Sequence, residues 1–158
     1  MKANILALYG IAFAPPLAHA RELNGIAGAT IVPPLAIENE APLYFGKFSP
    51  APGADGRLTL HETGIESDGV VTLFSNDQSA ARFRVTGEAG AVYTIEVPDN
   101  VTLMSPQSSK LVAELVPLGP RHLGDGEDTF FVCAHLTVPA GQEVADYSGT
   151  FVVTVNYQ

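Results

Sequence analysis

The chain has no tryptophan and a single cysteine, Cys133. One thiol excludes an intramolecular disulfide, and without Trp there is no Trp-lined cleft for a sugar. Basic residues are scarce, with eight Lys and Arg against 17 Asp and Glu. A chain that acidic repels phosphate backbones and anionic lipid surfaces, so nucleic acid is not an expected partner. Long apolar runs are missing as well. The stretch over 5–14 is stopped by Pro15 and Pro16, short of the roughly 20 residues a membrane span needs. No membrane insertion of the mature chain is expected.

Chemical motifs are equally thin. His61, His122 and His135 lie at no metal-motif spacing, and no G-x-S-x-G elbow occurs. Cys133 and His135 share one strand face, but two ligands do not close a zinc site. Asp125, Glu127 and Asp128 in "GDGED" bring three carboxylates to a Gly-rich loop, a composition that also suits a hairpin turn and lacks an EF-hand frame. Asn100-Val101-Thr102 reads as a chance glycosylation pattern. No catalytic, cofactor-binding or metal-ligating residue is assigned, and the chain does not read as an enzyme. Cys133 reads as a small buried apolar residue.

What is present begins with a leader. Met1-Lys2 is a short positive start, the apolar stretch over 5–14 has the length of a signal core, and Ala18-His19-Ala20 is a small-x-small cleavage site. The expectation is a signal peptide over 1–20, a mature chain from Arg21, and one domain over 21–158, exported to the periplasm, cell surface or medium.

Strand grammar fills the remainder. "AARFRVT" (80–86) alternates Ala81, Phe83 and Val85 with Arg82 and Arg84, and "AVYTIEV" (91–97) alternates Tyr93, Ile95 and Val97 with Thr94 and Glu96. With Gly87 to Gly90 between them, the two are expected to pair as an antiparallel hairpin. Further strands are expected over 29–37, disturbed by Pro33-Pro34, and over 43–48, 57–61, 69–74, 111–118, 129–138 and 147–157. Turn clusters such as "SPAPGADG", "ETGIESDG", "VPDN" and "GPRHLGDGED" separate them. Seven to nine short strands at this spacing predict an all-β, two-sheet antiparallel sandwich. Phe45, Phe74, Phe83, Tyr93, Phe130 and Phe151 are expected in its core, and Tyr44 is the aromatic to test for exposure.

The last stretch, "YSGTFVVTVNYQ", has Tyr147, Phe151, Val153, Val155 and Tyr157 on one face. Val152 breaks the polar alternation opposite, which implies that the second face is partly covered too. The order "ATIVPPLAI", "LYFGKF", "ARFRVTGEAGAVYTIEVP" and "FFVCAHLTVPAGQEVADYSGTFVVTVNYQ" resembles the bacterial secreted family called domain of unknown function 4402. The closing strand and the early L-x-F-G are its most specific parts, and the likeness covers nearly all of the mature chain. That family is distantly similar to spore-coat-U-like and other archaic chaperone-usher pilin domains.

The resemblance implies an immunoglobulin-like, pilin-like structural subunit on the surface of a Gram-negative bacterium, with identical subunits and a periplasmic chaperone as partners. Strand exchange would leave a groove in one subunit to be filled by a strand of another. The residues this places at exchanged or paired edges are Ile26, Thr30, Val32, Phe151, Val153, Val155 and Tyr157. Two alternatives stay open: the segment up to Val32 is a donor strand, or the sandwich is complete in itself. A free-standing binding module for glycan or protein, using the "GPRHLGDGED" and "SPAPGADG" loops, is the competing reading.

Overall fold

The computed structural model describes residues 26–158, so the expected signal peptide and the Arg21 start lie outside the described residues. Residues 26–30 belong to an N-terminal unit and are exposed, without regular structure. The compact unit, Ile31–Gln158, is all-β. Its strands are β1 (Ala36–Ala41), β2 (Phe48–Pro50), β3 (Gly56–His61), β4 (Gly64–Ser67), β5 (Val71–Leu73), β6 (Ala81–Thr86), β7 (Tyr93–Glu96), β8 (Asn100–Met104), β9 (Lys110–Leu118), β10 (Glu127–Val138) and β11 (Thr154–Tyr157). Every ladder is antiparallel. No helix among the described residues is long and apolar enough to cross a membrane.

Seven strands form the main sheet, which curls as a half-barrel around the long β10. β10 pairs with β6 over its first half, with β3 over its second, and with β9 as well; β1, β4 and β8 extend the sheet outward. Period-two alternation explains the curl's dry interior. Leu58 and Leu60 of β3, Val85 of β6, Leu111, Ala113 and Leu115 of β9, and Phe130, Val132, Ala134, Leu136 and Val138 of β10 are all buried. Burying each large aliphatic side chain contributes about 1.5–3 kcal/mol. Phe83 and Phe130 stack with ring centroids 5.2 Å apart.

Two short ladders lie apart from the main sheet: β2 with β5, and β11 with β7. The expected hairpin between 80–86 and 91–97 does not form. β6 stays in the main sheet between β1 and β10, whereas β7 pairs with β11. The glycine-flanked link is an arch stapled to another loop: Gly87 N donates to Gly126 O at 2.9 Å, and Gly90, at φ +77°, donates to Leu123 O.

Other expectations shift in detail. The early strand begins at Ala36, after Pro33-Pro34, instead of at Ala29, because proline cannot donate to a ladder. The strand over 43–48 is split at Gly46, whose φ of +75° leaves a lone Tyr44–Ser79 bridge before β2 begins. Two segments taken as turn or sequon, around Ile65 and Val101, are strands β4 and β8, bringing the total among the described residues to eleven. Phe74 is 69% exposed and is not a core residue.

Candidate functional site: an apolar groove between two half-ladders

After Ala41, which pairs with Arg82, the chain leaves the main sheet. It climbs through residues 42–50 to Gly56, which pairs with Val138 at the far end of β10. Leu43, Phe45, Phe48 and Pro50 turn inward; Tyr44 and Ser49 face out. This first lip is bonded along one edge only. Tyr44 exchanges both main-chain bonds with Ser79, and Lys47 O accepts from Phe74 N, so by antiparallel geometry Phe45 and Phe48 aim their amides away from that partner.

The second lip, residues 144–151, starts at the Val138 end, where Gln142 Nε2 donates to Lys110 O and Ser105 Oγ donates to Glu143. It runs the opposite way. Ser148 exchanges both main-chain bonds with Met104, and below it β11 pairs with β7 alone. At Gly149 the lip runs tight against β8: a Cβ there would collide with the Thr102 carbonyl oxygen.

Between the lips lies a cavity of about 940 Å³. Its floor is the inner face of the main sheet, with Phe83, Val101, Leu103, Leu111, Leu136 and Val138. Among the described residues no main-chain hydrogen bond joins the two lips. Two antiparallel edges, each with a free row of main-chain groups, thus face each other over an apolar floor.

The sequence profile described as domain of unknown function (DUF4402) matches residues 35–157. The chain belongs to the DUF4402 family. No curated protein and no solved structure matches it. The DUF4402 span contains both lips and the whole floor.

Of the residues expected at exchanged edges, the structure brings Phe151 to the groove and leaves Val153 and Val155 half-buried; of the strand expected over 147–157 only β11, from Thr154, forms. Tyr157 sits lower, its hydroxyl donating to Pro33 O and accepting from Glu88 N. Ile26, Thr30 and Val32 are exposed. Val152 is exposed too, at 77%, so nothing in the described chain covers that second face. Sequence reading missed Phe48, Leu103 and Val138 as groove residues, since an inward apolar residue in a strand looks the same whether a strand or a void lies above it. The unpaired rhythm of Leu43, Phe45 and Phe48 around Gly46 was the available signal.

The other candidates resolve into structure. Asp128 accepts the buried Tyr93 hydroxyl at 2.8 Å. Burial, then that carboxylate, raises the Tyr93 pKa. His135 Nδ1 lies 3.1 Å from Thr59 Oγ1, and His61 lies 3.6 Å from Glu66. Cys133 is buried, and burial pushes its thiol pKa up. Among the described residues no group of three potential metal ligands comes together.

Proposed function

We propose that this DUF4402 chain is a pilin-like structural subunit of a bacterial surface assembly, whose groove takes up an extended strand from another molecule. The observation that carries this reading is the pair of facing lips, each laddered on one edge and free on the other. An inserted strand would bond to both, with alternate side chains entering the floor. Because the lips are antiparallel to each other, any such strand is parallel to one and antiparallel to its neighbour.

Filling the groove would join the β2–β5 and β11–β7 ladders into one sheet opposite the curled main sheet, which makes an immunoglobulin-like two-sheet sandwich. The volume also falls in the range of small-molecule sites, roughly 300–1,000 Å³. A small apolar ligand, however, would leave both rows of main-chain groups without partners, at about 1–3 kcal/mol for each one shut from water. The expected leader and the resemblance to pilin domains support export, a periplasmic chaperone as an earlier occupant of the groove, and a surface destination.

Light scattering and negative-stain imaging of the exported protein test this reading. Strand uptake predicts oligomers or fibres that persist on dilution, and their loss in Phe151→Asp. Val144→Asp, at a fully exposed lip position, weakens assembly without a folding defect. A protein that stays strictly monomeric and refolds alone contradicts the proposal.

A further inference from the structure

We propose that the outer face of the main sheet, on the side away from the groove, pairs two copies back to back about a two-fold axis running between β9 and β10. This goes beyond strand uptake and does not rest on it. The groove opens over the inner face and stays free in such a pair.

The face is read off two neighbouring strands. Leu111, Ala113 and Leu115 of β9 and Val132, Ala134 and Leu136 of β10 point into the core, so the alternate residues point out. Register sets Leu118 beside Phe131, Val116 beside Cys133, Glu114 beside His135 and Val112 beside Thr137. The solvated face of an antiparallel sheet is normally polar. Here Val112, Val116 and Leu118 are 50%, 37% and 51% exposed, with Phe131 half-buried next to them. Bare aliphatic side chains in one contiguous strip mark a contact surface.

Charge selects a second copy as the occupant. Residues 26–158 hold six Lys and Arg and sixteen Asp and Glu. Four of the six cations, Arg57, Arg82, Arg84 and Lys110, stand on the outer face. Arg57 lies 4.0 Å from Glu114, Arg82 lies 3.0 Å from Glu40, and Arg84 lies 3.0 Å from Glu38 and 3.9 Å from Glu127. With Glu62 and Glu66 at its rim, the face carries four cations against six carboxylates, whereas the rest of this surface carries two against ten. A molecule this acidic meets the least like charge in its own copy when the two outer faces approach.

An axis along the strands makes the strip its own complement. Leu118 of one copy then meets Phe131 of the other, Val116 meets Cys133, Val112 meets Thr137 and Glu114 meets His135, each contact occurring twice. Apolar groups cover apolar groups, and each carboxylate faces an imidazole that can donate to it. An axis across the strands through Cys133 would instead set Leu118 on Glu114 and Phe131 on His135, pressing a carboxylate against an aliphatic chain. At about 3.3 Å per residue and 4.8 Å between strands, the strip is roughly 20 Å by 10 Å. That is well under the roughly 800 Å² per partner of a standard interface, so the pair is weak and comes apart on dilution.

Sedimentation velocity of the full-length protein tests the pair, in a Phe151→Asp background so that oligomers formed through the groove do not enter. A dimer that dissociates on dilution is expected. Val116→Asp should leave only monomer, with the β9 amides still protected; Glu114→Arg should also abolish the dimer, and adding His135→Glu should restore it. With Phe151 intact, Val112→Cys in a Cys133→Ala background, treated with a short bis-maleimide, should give a covalent dimer and nothing larger, because a two-fold contact closes on itself. A link from Leu118→Cys without one from Val112→Cys overturns the axis. Monomer at every concentration, with no link from either position, overturns the face. Wild-type protein that stops at this dimer supports the face and removes strand uptake.

Discussion

Tyr157 and Pro33, at opposite ends of the compact unit's sequence, are joined by a 2.7 Å hydrogen bond from the phenolic hydroxyl to the Pro33 carbonyl. The same oxygen accepts the Glu88 amide at 2.8 Å. One side chain thus ties β11, the β6–β7 arch and the approach to β1. Tyr157→Phe keeps the ring and removes both bonds. It should cost about 1–2 kcal/mol and lower Tm by roughly 3–8 °C, with Glu88 amide exchange accelerated. An unchanged Tm and unchanged exchange would show the tether to be idle.

A second prediction concerns alkaline pH. Tyr93 is fully buried, and its hydroxyl donates to Asp128. Its folded pKa is raised from the ordinary value of 10.0 by burial first and by the Asp128 carboxylate next. Above pH 10 the unfolded chain loses this proton while the folded one keeps it, so stability is intact below that pH and falls as pH climbs past it. Tyr93→Phe should cost about 1–2 kcal/mol at neutral pH and flatten the alkaline fall. Urea titrations at pH 8 to 11 check both, and equal slopes in the two proteins would refute the assignment.

Gly149 offers a local test of the second lip. A Cβ there meets the Thr102 carbonyl oxygen and comes within 3.0 Å of Leu103 Cδ2. Gly149→Ala should therefore push the lip away from β8 and cost about 1–3 kcal/mol. The Met104 and Ser148 amides, which exchange bonds across this contact, should lose protection. Wild-type protection would mean that the close approach does not hold the lip.

The outer edge of the main sheet depends on charge. Arg84 reaches Glu38 at 3.0 Å, Glu40 at 3.3 Å and Glu127 at 3.9 Å, and Arg82 reaches Glu40 at 3.0 Å. Glu38, then Glu40 and Glu127, raise the Arg84 pKa, so the guanidinium stays charged throughout. These groups are exposed and salt screens them, so Arg84→Ala should barely change global stability. It should instead speed amide exchange within β1, as about 0.5 M salt should in the wild type. No change at β1 would make the cluster decorative.

Much of this was legible in the sequence wherever a strand's two faces differ. Arg82 and Arg84 against Phe83 and Val85 place β6 correctly; of the expected inward set, Tyr147, Phe151, Val153 and Val155 are half-buried and not core, and Tyr157 is exposed. Pairing was not legible. The segments around Phe83 and Tyr93 alternate alike, and nothing local shows that the Gly87–Gly90 link is an arch between layers instead of a hairpin turn. β4 and β8 were hidden because Gly64, Asp68 and Asn100 supply turn composition to strands whose partners come from elsewhere. The groove was invisible for a related reason. Leu103 and Val138 look like core residues in sequence, and only the gap between two lips shows that their cover is incomplete.

The central claim is that both lips are sheet edges awaiting a strand. Main-chain amide exchange of the full-length protein, measured on the assembled material and on a dilute monomeric fraction, tests it most directly. The account predicts that the amides of Phe45, Phe48, Gly149 and Phe151 become strongly protected on assembly, while β10, already paired on both sides, stays slow in each state. Equal exchange at the two lips in both fractions would contradict it.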